Sequence, residues 1–168
     1  MIGEQGALTA DDWADLVDGE DEPFGAVGAG LAWRPKERHI TFRDGGRLVA
    51  AAGALVARVR VGSDACFHVV GIGSVIVTRS YRGRGLMPQL MDRLLRVART
   101  LGPDRAMLFC RPELMRLYGR FGFCEIGAPV WVDQPDGRVE MPLSAMWRPL
   151  VDGAQWPCGR VEVDGLPF

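Results

Sequence analysis

The residues best suited to chemistry lie together at Arg82-Gly83-Arg84-Gly85-Leu86-Met87. Two arginines alternate with two glycines, just after the β-branched run Val75-Ile76-Val77. Apolar residues at helical spacing follow at Leu86, Met87, Leu90, Met91, Leu94, Val97, Ala98 and Leu101. A strand, a glycine loop and a helix start in that order can hold a phosphate or pyrophosphate. Glycine lets the backbone approach a ligand and turn its N–H groups toward one point, and the helix N-terminus adds about half a positive charge. Arg82 and Arg84 would add full charges, and Pro88 fits the first helical turn, where its missing N–H costs nothing. A two-glycine turn between a strand and a helix is also often only a turn. The loop lacks the Gly-Lys-Ser/Thr ending of a Walker loop and the Gly-x-Gly-x-x-Gly spacing of a dinucleotide fold, which disfavours both.

Several elements must position this loop. Thr9-Ala10-Asp11-Asp12 predicts an N-cap with acids in the first turn, and Trp13, Leu16 and Val17 supply an apolar face, so a first helix runs from about 10 to 18. The glycine-rich Phe24 to Gly30 is a mobile loop or a turn between helices. His39 to Arg43 alternates and ends at Asp44-Gly45-Gly46, a hairpin turn. Arg47 to Val61 continues as a long strand rich in small residues, and Gly62-Ser63-Asp64 turns into a third strand, Cys66 to Thr78. Gly71 and Gly73 inside that strand predict a bulge or a close backbone approach. Gly102-Pro103 ends the long helix, Arg105 to Cys110 is the next strand, and Pro112 opens a further helix. Pro129 to Asp133 and Val139 to Ser144 flank Gln134-Pro135-Asp136-Gly137 as a final hairpin. The tail carries Trp147, Trp156, Leu166 and Phe168, too apolar for disorder; it packs back over the sheet or caps it.

The loop resembles the acyl-CoA-binding motif Q/R-x-x-G-x-G/A of the GCN5-related N-acetyltransferase (GNAT) superfamily. Arg82 and Gly85 match, and Met87 stands where Gly or Ala is usual. Leu117-Tyr118-Gly119-Arg120-Phe121-Gly122-Phe123, after the strand 105–110, is similar to the superfamily's next helix and its exit. A weaker resemblance, in layout and tail, is to bacterial aminoglycoside 2'-N-acetyltransferases. The resemblance implies an α+β GNAT fold: a mixed, mostly antiparallel sheet of six to seven strands, splayed at the acyl-CoA site and flanked by about four helices. One domain over 1–168 is expected, with a core of about 9–146 and an apolar tail over 147–168. It also implies acetyl-CoA as co-substrate, held by the main chain of Val75, Ile76 and Val77 and by Arg82, Gly83, Arg84, Gly85, Leu86 and Met87. Tyr118 is then the candidate catalytic acid, because a phenol suits a departing thiolate; the alternative is a core aromatic beside Leu114 and Phe121. Cys110 would border the thioester or be a small buried thiol.

The base is not identified. Many superfamily members carry a Glu on the strand before the loop, and the aminoglycoside 2'-N-acetyltransferases have one where Gly73 stands here. His68 lies on the opposite face of an unbulged strand, and Asp133, Glu162, Asp164 and the terminal carboxylate of Phe168 are unconstrained alternatives. Asp11, Asp12, Asp15, Asp18, Glu20, Asp21 and Glu22 form an acidic run with no base among them. It is a solvated helix face, or a funnel for a cationic amine if the first helices border the acceptor site as in the superfamily.

With 168 residues, 48% hydrophobic and 24% charged, and a net charge of −1, one compact domain is expected and nucleic acid is not a default partner. No long apolar run or basic leader argues for a membrane span or for export, so the cytoplasm is the default. Four cysteines and two histidines lack metal-like spacing, so no metal is expected. Lys36 is the sole lysine, a bias that hints at a GC-rich genome. The expected function is acetyl transfer to a small, cationic primary amine. The alternatives are an acyl-CoA-binding sensor or an enzyme acetylating protein or aminoacyl-tRNA, and a homodimer is left open.

Overall fold

In the computed structural model, residues 1–20 and 30–168 are described, and most of the acidic run falls within them. Asp21, Glu22 and the glycine-rich stretch up to Ala29 lie outside. The chain order is β1 (Ile2–Gln5), α1 (Ala10–Val17), β2 (Arg38–Asp44), β3 (Arg47–Val61), β4 (Ala65–Val77), α2 (Leu86–Ala98), β5 (Arg105–Cys110), α3 (Met115–Gly119), β6 (Cys124–Glu125), β7 (Val130–Gln134), β8 (Gly137–Glu140), β9 (Ser144–Pro149) and β10 (Val161–Val163). Short 3-10 turns at Arg79–Tyr81 and Pro112–Leu114 lead into the glycine loop and α3.

All ten strands belong to one sheet of order β6-β9-β5-β4-β3-β10-β7-β8, with β2 and then β1 branching from the first half of β3. The mixed α+β class agrees with expectation, but the strand count exceeds six to seven, and three α-helices rather than four stand among the described residues. The additional strands are short ones whose pairing is tertiary. β9 pairs with β5 from 34 to 44 residues away, and three-residue β10 is held between β3 and β7. No local period announces a three-residue strand.

The small residues of β3 have a packing reason. Ala50, Ala52 and Ala54 are fully buried with Val70 and Ile72 of β4 under Leu90, Met91, Leu94 and Ala98 of α2, so methyl-sized side chains let the helix approach the sheet. The opposite face packs Leu55, Val59, Val69, Met107 and Phe168 into a second core. On that side α1 covers Leu48, Ala51 and Ile76 with Leu16. Its N-terminus carries the expected capping box: Thr9 Oγ1 accepts from the Asp12 amide and the Asp12 carboxylate accepts from the Thr9 amide.

Candidate active site

The candidate site lies where β4 and β5 part. These strands pair in parallel only over Val70–Ile72 and Ala106–Leu108, so beyond Ile72 the β5-facing edge of β4 has no strand partner. Just there β4 bulges. Ala51 pairs with Ile76 and Gly53 with Gly73, which leaves Ser74 and Val75 opposite Ala52, and Ser74 adopts φ 51°. The extra residue shifts the alternation by one. Val70 and Ile72 face the α2 core, but so do Val75 and Val77, while Ile76 turns to α1.

The glycine loop follows. Gly83 (φ 77°) and Gly85 (φ 72°) are left-handed, and open space surrounds the position of a Cβ at either. Gly85 is the N-cap of α2; no side chain caps the helix and no acid stands in its first turn. The first-turn N–H groups therefore lack an intrachain acceptor of the kind that closes α1, and the dipole favours an anion there. Arg82 is committed elsewhere: Nε donates to Val77 O at 3.0 Å, and the two terminal nitrogens grip Glu20 at 3.0 and 2.5 Å. It ties the loop to the end of β4 and to α1's exit, so its charge is not the free one the sequence suggests. The Arg84 guanidinium lies 4.6 Å from the Tyr81 ring centroid.

On the α2 side, Tyr118 is 7% exposed and shares the buried cluster of Ile72, Leu108 and Cys110, with Val75, Val77 and Met87 at its margin. Burial, with the Cys110 thiol a lesser cause, pushes the phenol above its ordinary value of 10. Burial likewise pushes the Cys110 thiol up to about 11, and its Sγ contacts Met146 Sδ at 3.8 Å. Cys110 is thus a protonated, buried thiol.

On the other side, Gly53, Gly71 and Gly73 form a side-chain-free floor. The Phe168 ring occupies the space over Gly71, with atoms 2.5 to 2.8 Å from where a Cβ would stand. At Gly73 the corresponding position lies 2.8 Å from the terminal carboxyl carbon of Phe168 and 3.2 Å from Lys36 Nζ, and the Lys36 stem covers Gly53. The bulge and a close main-chain approach are both found at Gly73, while at Gly71 the approach is made by a side chain. Phe109 packs against Phe168 at 5.1 Å and against Trp33 at 6.5 Å, giving the floor an aromatic wall.

Among the proposed bases only Phe168 reaches this floor. His68 is exposed at the far half of β4, opposite Arg58. Asp133, Glu162 and Asp164 are bound into an arginine network with Arg58, Arg60, Arg138 and Arg160 around β10. Four acids of the acidic run are likewise compensated in space. Asp12 pairs with Arg43, Asp15 and Asp18 with Arg47, and Glu20 with Arg82. The residue that sequence reasoning missed is Lys36, whose one available signal was its singularity.

A family profile for the acetyltransferase (GNAT) domain matches residues 8–126, which contain the bulge, the glycine loop, α2, β5 and Tyr118. The chain belongs to the GNAT family. This GNAT is 38% identical over 80 residues to glucosamine 6-phosphate N-acetyltransferase 1 of Oryza sativa subsp. japonica, covering 48% of this chain and 47% of that protein. It is 32% identical over 130 residues to an uncharacterized N-acetyltransferase of Streptomyces avermitilis, covering 73% of this chain and 31% of that one. The GNAT chain thus spans about half or less of the length of these curated relatives. Among solved structures, Escherichia coli YhbS in complex with CoA matches with a TM-score of 0.62 at 20% identity, covering 96% of this chain and 88% of that one. Escherichia coli ElaA matches at 0.58 and 23%, covering 88% and 99%. These likenesses bear on the fold, which is that of GNAT acyltransferases. No helix among the described residues is long and apolar enough to cross a membrane.

Proposed function

We propose that this GNAT transfers an acetyl group from acetyl-CoA directly to the primary amine of a small molecule. One observation carries the reading. The β4–β5 pairing stops at Ile72, and the unpaired edge leads through a bulge and two left-handed glycines into an uncapped helix start. An extended arm fits such an edge as an added strand, and a phosphate fits the end of it, so the residues present suit acetyl-CoA. Bound there, acetyl-CoA supplies an activated acyl group with a thiolate leaving group. The main chain of Val75, Ile76 and Val77 holds the arm, and an N–H of that segment donates to the acyl oxygen, an effect typically worth a few kcal/mol. The amides of Arg82, Gly83, Arg84, Gly85, Leu86 and Met87 hold the phosphates, with Arg82 keeping the loop in shape. Tyr118 keeps its proton at neutral pH, gives it to the departing sulfur and takes up the proton that the attacking amine loses, so no charge is left in the core. Holding both substrates together contributes much of the remaining acceleration.

For the acceptor, the acidic run lends less support to a cationic class than its sequence suggests, because Asp12, Asp15, Asp18 and Glu20 are paired with arginines. A relative named for glucosamine 6-phosphate supports a small amine such as an amino sugar. The test is free-thiol release from acetyl-CoA across amino sugar phosphates, aminoglycosides, polyamines, amino acids and lysine peptides. Release with one amine class is the expected result. The lack of an acidic side chain at Gly73 favours one other reading, an acyl-CoA-binding sensor, and CoA binding without release from any amine would establish it.

A further inference from the structure

Lys36 is the one group in this chain that unites an amine, burial and a position at the head of the β4–β5 gap. Its residue is 8% exposed, and its Nζ donates to Arg34 O at 3.0 Å. Its chain neighbours Arg34 and Arg38 are paired with Glu37 and Glu4, whereas the group beside Lys36 on the floor is the terminal carboxyl of Phe168. The stem crosses Gly53 and ends against Gly73, the first β4 residue past the last β4–β5 pair. The absence of a side chain at both glycines is what admits it. Phe168, stacked over Gly71 and against Phe109, closes the same floor with apolar surface.

We propose that Lys36 is itself an acetyl acceptor, modified by acetyl-CoA bound in the adjoining gap of the same chain. The inference rests on the reading of that gap as the acetyl-CoA site. In the step, the Nζ lone pair forms a bond to the acetyl carbon, the carbon–sulfur bond breaks, and the proton lost from nitrogen ends on the CoA thiol. The products are Nζ-acetyllysine and free CoA, with no further reactant. An amine must be neutral to attack, and the site favours that form: burial, with the Arg34 charge a lesser cause, draws the ammonium down to about 8. The lowered value makes the neutral form more accessible at pH 7 than it is for an exposed lysine. The Arg34 carbonyl accepts one N–H and leaves the lone pair free. Acetylation would remove a buried charge from the floor and fill the space beside Gly73.

The experiment is incubation of the full chain with acetyl-CoA and no amine, followed by peptide mass spectrometry. Because Lys36 is the sole lysine, an acetyl-lysine signal has one source. The expected result is one acetyl group on the Lys36 peptide, suppressed by excess CoA and, at sub-saturating acetyl-CoA, strongly reduced in Gly85→Val. Acetyl-CoA binding seen by thermal shift with Lys36 unmodified would overturn the inference and leave the proposed function standing. Labelling undiminished by excess CoA would also overturn it, as reaction from bulk solvent. No acetyl-CoA binding at all would overturn the inference together with the reading it rests on.

Discussion

Asp12 joins three elements that stand behind the loop, and removing its charge should destabilise the domain by an amount the structure sets. Its carboxylate accepts from the Thr9 amide and from Gln5 Nε2, each at 3.0 Å, and pairs with Arg43, linking β1, α1 and β2; the side chain is 6% exposed. Burial by itself would raise its pKa, but the Thr9 amide, Arg43 and Gln5 together overrule it and hold the group at about 2, against 3.8 ordinarily. A tenfold change in proton affinity between the folded and unfolded chain is worth about 1.4 kcal/mol, so ionised Asp12 contributes about 2 kcal/mol at neutral pH. Asp12→Asn should lose about that much, or roughly 4–8 °C in Tm for a domain of this size. More is lost if half-buried Arg43 is left without a partner. The folded-state pKa lies below the unfolded one, so the contribution is complete above about pH 5 and disappears as pH falls through about 4 to 2. Urea unfolding of both proteins, followed by tryptophan fluorescence at about pH 7, 5 and 3, reads this directly. The gap between them should be constant at the first two and narrower at the third. An unchanged gap at the lowest pH would refute the argument that the ionised carboxylate is what matters.

Gly85→Val forces a β-branched residue to φ near 72° with no steric contact elsewhere. Strain of about 2 kcal/mol should leave the fold intact and weaken CoA by roughly 30-fold in titration calorimetry, and an unchanged Kd would remove the loop from the site. Tyr118→Phe should lower kcat by about 10²–10³ while leaving the Kd for acetyl-CoA as it was; unaltered turnover would make Tyr118 a core aromatic only. Gly71→Ala drives a methyl into three atoms of the Phe168 ring. A loss of about 1–3 kcal/mol is expected, and less than additive loss when Phe168→Ala is added, whereas strict additivity in the double-mutant cycle would separate the two residues.

What was legible in the sequence was local. Asp44-Gly45-Gly46 announces the β2–β3 hairpin because Gly45 and Gly46 supply the two positive φ values it needs. Thr9 and Asp12 announce α1 because both partners of the capping box lie within four residues. The strand, glycine loop and helix of the candidate site are contiguous and were read together. Pairings across long separations were not legible. Glu20 meets Arg82 across 62 residues, and Asp12 meets Arg43 across 31, so four acids of a run that looks uncompensated in sequence are paired in space. The β10 pairing and the seating of Phe168 on Gly71 depend on the sheet already existing. Lys36 carries no local pattern, and only the glycines it lies against reveal why it can be buried.

The proposed chemistry draws on groups from two faces of one sheet. Tyr118 and Cys110 lie in the α2 core, while Lys36 and Phe168 lie over the glycine floor on the other side. The bulge at Ser74 makes that division possible. With unbroken alternation, residues 75 and 77 would turn away from the α2 core; the added residue returns Val75 and Val77 to it. A thioester in the gap would thus meet a proton donor from one side and an amine from the other, with neither group having to cross the sheet. The glycines determine the second half of this arrangement by what they lack. A side chain at Gly53 or Gly73 would claim the volume that Lys36 now fills, and one at Gly71 would displace the Phe168 ring.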